Sequence, residues 1–123
     1  MKALVVDDSR AIRVIVGKTL KELGFDVVEA VDGKDALEKL RMAGPFDVAL
    51  VDWNMPELDG LGFVKAARAL PEHAAMRILM VTTEGEASRM EAALAAGAQE
   101  YMMKPFTRDM LAAKLDLVGL VRG

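Results

Sequence analysis

Four polar clusters in this sequence each stand directly after a short apolar run. Asp7-Asp8 follows Ala3–Val6, Asp52 follows Val48–Val51, Thr82-Thr83 follows Ile78–Val81, and Lys104-Pro105 follows Tyr101–Met103. Brought together, these residues have a definite chemistry. Three carboxylates in one crevice resist full ionisation, so either one pKa rises or a cation neutralises them. Oxygen ligands without His or Cys select a hard cation, Mg2+ ahead of Ca2+. A carboxylate beside such a cation can act as a nucleophile and form an aspartyl phosphate. A Lys places a compact positive charge on phosphoryl oxygens, and a Thr hydroxyl donates to one more. The set is suited to taking a phosphoryl group from a donor rather than to holding a resting phosphate.

For the clusters to meet, the runs before them must be parallel strands. In a parallel sheet the strand C-termini share one edge, and ligands bind there where the strand order reverses. The intervening segments carry helical patterns. Ile12, Ile15, Val16, Leu20 and Leu23 form one face, ended by Gly24. Leu37 and Leu40 mark a second helix, stopped by Gly44-Pro45. A third begins near Gly60, buries Phe63, Val64 and Ala67, and ends before Pro71. An Ala-rich fourth holds Met90, Ala93 and Leu94 and ends at Gly97. The fifth is capped by Thr107 and buries Leu111, Leu115 and Val118. Val27-Val28, between Asp26 and Glu29, is half polar and fits an edge strand that delivers only Ala30. The runs at 3–6, 48–51 and 78–81 are apolar throughout, as strands buried on both faces are. Five strand–helix units predict an α/β fold with a parallel sheet.

The 123 residues predict one domain over 1–123. A hydrophobic content of 53% with 28% charged residues is globular. The absence of Cys excludes a disulfide framework, a thiolate zinc site and a cysteine nucleophile; a single His excludes most His-based metal sites. A net charge of -3 offers no basic face for nucleic acid. No run approaches membrane-spanning length, and Asp7 comes too early for a signal peptide. A cytoplasmic monomer with no nucleic-acid or membrane partner is expected.

The segments Val5-Val6-Asp7-Asp8, Asp52-Trp53-Asn54-Met55-Pro56 with Asp59-Gly60, Val81-Thr82 and Tyr101 through Lys104-Pro105-Phe106-Thr107 resemble the receiver domain of two-component response regulators, most of all its chemotaxis members. The resemblance covers the whole chain. It implies a flavodoxin-like doubly wound (βα)5 fold with strand order 2-1-3-4-5. It implies that Asp52 is the phosphorylation site, and that Asp8, Asp52 and the Asn54 carbonyl ligate Mg2+ directly with Asp7 acting through water. Thr82 and Lys104 would be the catalytic contacts to phosphoryl oxygens, and Lys104-Pro105 a cis peptide. Thr82 and Tyr101 would form the switch, with output through the fourth helix, fifth strand and fifth helix. Asn54, Thr83 and Glu84 stand where the family tunes dephosphorylation; Thr83 is bulkier than the small residue usual there. The implied partners are a histidine kinase or phosphotransfer domain upstream and a flagellar motor switch protein downstream. No enzyme is expected beyond self-catalysed phosphorylation and dephosphorylation.

Other readings are weaker. A single-domain receiver outside chemotaxis would serve as a relay intermediate or phosphate sink. A phosphatase of the haloacid dehalogenase type would want Asp-x-Asp, whereas the sequence has Asp7-Asp8-Ser9. An FMN carrier needs a phosphate-cradling first loop, which Asp7-Asp8 would repel. His73, after Pro71-Glu72, is expected in solvent, and the Met residues are expected to fill core gaps.

Overall fold

The computed structural model describes residues 1–83 and 87–120. Eleven elements follow one another: β1 (Lys2–Val6), α1 (Arg10–Glu22), β2 (Asp26–Ala30), α2 (Gly33–Ala43), β3 (Val48–Asp52), α3 (Gly60–Arg68), a 3-10 turn (Pro71–His73), β4 (Arg77–Thr82), α4 (Ala87–Ala96), β5 (Glu100–Met103) and α5 (Arg108–Leu117). The strands form one parallel sheet in the order β2-β1-β3-β4-β5. The half-polar β2 takes an edge, where one side needs no strand partner.

Alternation along the strands divides the core in two. Leu4, Val6, Ala49, Val51, Ile78 and Met80 face α2, α3 and α4 through Leu40, Phe63, Val64 and Ala93. Ala3, Val5, Val48, Leu50, Leu79 and Val81 face α1 and α5 through Val16, Leu20, Leu111 and Leu115. Both faces of β1, β3 and β4 are therefore covered, which is why these strands are apolar at consecutive positions, with polar residues only at their ends.

Local chemistry fixes the helix starts. Ser9, Asp32, Asp59 and Thr107 accept the amides of Ile12, Asp35, Gly62 and Met110, and each so satisfies an otherwise unpaired donor of α1, α2, α3 or α5. Gly60 opens α3 against the end of β3; a Cβ there would lie 2.5 Å from the Asp52 carbonyl. The close approach that carries the Asp52 loop needs a residue without a side chain.

Three expected burials are corrected. Ile15 is 62% exposed, because Val16 and Leu20 already define the inward row of α1 and Ile15 lies about 100° around the helix from Val16. Leu94 faces outward for the same reason, beside the buried Ala93. His73 is buried, not solvated: the Pro71–His73 turn folds it against Gly44, where a Cβ would lie 3.2 Å from its ring.

Glu57, in the loop between β3 and α3, has a φ of 67°. A side-chain-bearing residue pays for this left-handed conformation, and Asn tolerates it best after Gly. Glu57→Asn is expected to stabilise the protein by about 1 kcal/mol in urea unfolding; an unchanged or lower midpoint would contradict the strain.

Candidate functional site

All four clusters arrive at the C-terminal edge of the sheet. Asp7 follows β1, β3 ends in Asp52 and β4 in Thr82, and Lys104 follows β5. Lateral hydrogen bonds bind these ends together: Trp53 N–H donates to the Val81 carbonyl at 3.2 Å, and Lys104 N–H to the Thr82 carbonyl at 2.8 Å. Asp7, Asp52 and Thr82 are buried, whereas Asp8 is exposed.

Carboxylate oxygens of Asp7, Asp8 and Asp52 all lie within 4.8 Å of one another. Lys104 joins two of them, its Nζ 2.9 Å from Asp7 Oδ2 and 3.3 Å from Asp52 Oδ1. Burial, then the neighbouring Asp7 charge, holds the Asp52 carboxyl above the usual carboxylate range, and Lys104 offsets this only in part. Burial alone would lower the Lys104 pKa; the Asp7 hydrogen bond and the Asp52 charge outweigh it and raise it. Asp52 is thus a poorly solvated carboxylate beside a cation and short of full charge compensation, a setting in which a carboxylate can act as a nucleophile. The oxygen-only donor set fits Mg2+, whose charge would relieve the acid cluster.

Asn54, two residues after Asp52, and Thr83, next to Thr82, are exposed, and Glu84 lies outside the described residues. The Lys104-Pro105 peptide is cis, as is Gly44-Pro45. Tyr101 is 37% exposed on β5, away from the acid cluster. Lys114 Nζ stands 5.4 Å over its ring and 3.3 Å from Glu100. Met103, Met110 and Leu117 flank it on an apolar groove.

A model of the response regulator receiver domain matches residues 3–116. The chain belongs to that family. The receiver is 46% identical over 119 residues to chemotaxis protein CheY1 of Helicobacter pylori strain J99, covering 96% of each chain. It is 46% identical over 125 aligned residues to a CheY homolog of Campylobacter jejuni, covering 100% of this chain and 96% of the relative. Among solved structures it is similar to chemotaxis protein CheY4 of Vibrio cholerae, with a TM-score of 0.89, 40% identity and coverage of 95% and 97%. It also resembles the receiver domain of sensor histidine kinase PA1611 of Pseudomonas aeruginosa, which has a magnesium ion coordinated in its active site cleft; the TM-score is 0.85, the identity 27% and the coverage 96% and 97%. Receiver domains are signalling proteins that bind Mg2+ at an acidic pocket, and Asp7, Asp8 and Asp52 form an acidic group here. No helix among the described residues is long and apolar enough to cross a membrane.

Two residues at this edge carry no signal in the sequence pattern. Arg13 donates from Nη1 to the Asp7 carbonyl at 2.8 Å. The Arg89 guanidinium of α4 stands 5.5 Å over the ring of Trp53, next to Asp52. The Asp7 carbonyl is a group any residue type offers and the Trp53 ring is distant in sequence from Arg89, so neither contact produces a local motif.

Proposed function

We propose that this receiver is a phosphorylation switch: Asp52 takes a phosphoryl group from a histidine kinase or its phosphotransfer domain, and the phosphorylated form changes its affinity for a protein partner. The observation that carries this reading is the buried Asp52 carboxylate, 3.3 Å from the Lys104 ammonium and grouped with Asp7 and Asp8.

An Asp52 oxygen attacks the donor phosphorus. The phosphorus–nitrogen bond of a phosphohistidine breaks, and its electron pair returns to the imidazole, which leaves and takes up a proton. Lys104 stabilises the charge on the transferring oxygens. Asp8, Asp52 and the Asn54 carbonyl would hold Mg2+ directly, with Asp7 acting through water, and the bound ion would supply positive charge to offset that of the phosphoryl oxygens. Thr82 contributes its hydroxyl to the phosphoryl group. Hydrolysis by water later restores the carboxylate, at a rate tuned by Asn54, Thr83 and Glu84.

The output surface is α4, β5 and α5 around Tyr101, and Tyr101 moves as Thr82 is drawn toward the phosphoryl group. Two conformations pre-exist, and phosphorylation shifts their populations. The names of the Helicobacter, Campylobacter and Vibrio relatives favour chemotaxis, with a flagellar motor switch protein as partner.

Trp53 provides the test. Its fluorescence is expected to change when Mg2+ and then acetyl phosphate are added, and to return as the phosphoryl group is hydrolysed. No change, together with no phosphoryl mass shift, would overturn the reading. Lys104→Ala is expected to accept the phosphoryl group more slowly, yet to lose the later response of Tyr101 and its neighbours. NMR shifts at β5 that persist fully in the phosphorylated variant would refute that coupling.

A further inference from the structure

We propose that Arg13 is a positioning residue for the divalent cation, fixing the peptide between Asp7 and Asp8 so that both carboxylates serve one ion. The proposal rests on the acidic cleft being the Mg2+ site.

Arg13 lies one turn into α1, its side chain 11% exposed. Its Nη1 donates to the Asp7 carbonyl at 2.8 Å and its Nε to Glu29 Oε1 at 3.1 Å. The fork therefore spans from β1 to the edge strand β2. The other polar atoms of Asp7 are also held. Its N–H donates to the Ala30 carbonyl at 3.2 Å, Oδ1 accepts the Ser9 amide at 2.9 Å, and Oδ2 accepts Lys104 Nζ at 2.9 Å.

Asp8 contrasts with this. It is exposed, and among the described residues no hydrogen bond orients its carboxylate. Its direction comes from its backbone. The carbonyl of Asp7 and the amide of Asp8 share one planar peptide, so the donor that fixes the first fixes the plane from which Asp8 departs. Arg13 supplies that donor. A Lys would keep the charge and lose the pre-organised fork that reaches Glu29 and Asp7 together.

Charge and positioning predict opposite signs. Deleting a positive charge beside the cleft would by itself tighten cation binding. Releasing the Asp7–Asp8 peptide would weaken it, as loss of outer-shell support does at metal sites. The experiment is calorimetric titration of Mg2+ into the unphosphorylated wild type, Arg13→Lys and Arg13→Gln, with urea unfolding of each protein.

Both variants are expected to raise the Kd for Mg2+ about tenfold. A merely structural arginine would lower the urea midpoint and leave the Kd in place. Wild-type affinity in Arg13→Lys, or tighter binding in Arg13→Gln, overturns the proposal. If Arg13→Gln does not fold, Arg13→Lys decides. A further measurement needs no variant: the Arg13 Nε–H resonance of the wild type is expected to shift on saturation with Mg2+, and an unmoved resonance refutes the assignment. A wild type that binds no Mg2+ refutes the cleft reading itself, whereas equal binding in all three proteins refutes only the role of Arg13.

Discussion

Asp52→Asn is expected to take no phosphoryl group from acetyl phosphate, while the wild type gains one by mass spectrometry. The amide nitrogen is no nucleophile, and neither Asp7 nor Asp8 has both the burial of Asp52 and its place at the end of the central β3. Label at wild-type stoichiometry in the variant would remove Asp52 from the mechanism. The same substitution should leave a second, opposite mark. Because the native state holds the Asp52 carboxyl above its ordinary value of 3.8, folding favours the protonated form. The stability from that preference is present below pH 3.8 and lost as pH rises through the native value. Without Mg2+ and near neutral pH, Asp52→Asn is therefore expected to be the more stable protein, with its advantage shrinking as pH falls. Added Mg2+ should narrow or reverse the order, since it binds and stabilises the wild type. A variant less stable than wild type at neutral pH without the metal would contradict the raised carboxyl.

Arg68→Ala is expected to lose about 3–4 kcal/mol of folding stability, a large share of the ~5–15 kcal/mol typical of a domain. Arg68 ends α3 and directs its guanidinium into the opposite edge of the sheet from the acid cluster. Nε donates to the Gly97 carbonyl at 2.9 Å. Nη1 donates to the carbonyls of His73 and Ala74, and Nη2 to the Met76 carbonyl and Gln99 Oε1. These bonds join α3, the Pro71–His73 turn, the approach to β4 and the α4–β5 connection. Gly97 sits at φ 119°, where a Cβ would come within 2.7 Å of the Arg68 side chain. Truncation leaves four main-chain carbonyls to find water at a half-buried junction. Arg68→Lys should recover less than half of the loss, because one ammonium cannot serve so many acceptors. An Arg68→Ala midpoint within error of wild type would show that water replaces the guanidinium without cost.

The sheet was legible because its central strands are buried on both faces and so apolar at consecutive positions. Its site was legible because parallel topology sends every strand end to one edge, where Asp7, Asp52, Thr82 and Lys104 stand out against apolar neighbours. The helices were harder at their margins. Val14, Ile15 and Val16 are adjacent apolar residues, and periodicity does not say which of them packing will select; the structure buries Val16. His73 follows Pro71-Glu72 in a short turn, and its burial depends on Gly44, far away in the chain. Arg13 could not be found because it reads a backbone carbonyl, which every residue type offers.

The lysine bridge between Asp7 and Asp52 gives the cleft the behaviour of a coincidence gate. With all three acids ionised, three carboxylates and one ammonium leave two negative charges uncompensated, which matches one divalent ion. An anionic donor arriving alone meets repulsion, and a cation arriving alone finds no group to transfer. On the proposed reading the cation can bind alone, yet a phosphoryl group is transferred only while cation and donor are both present.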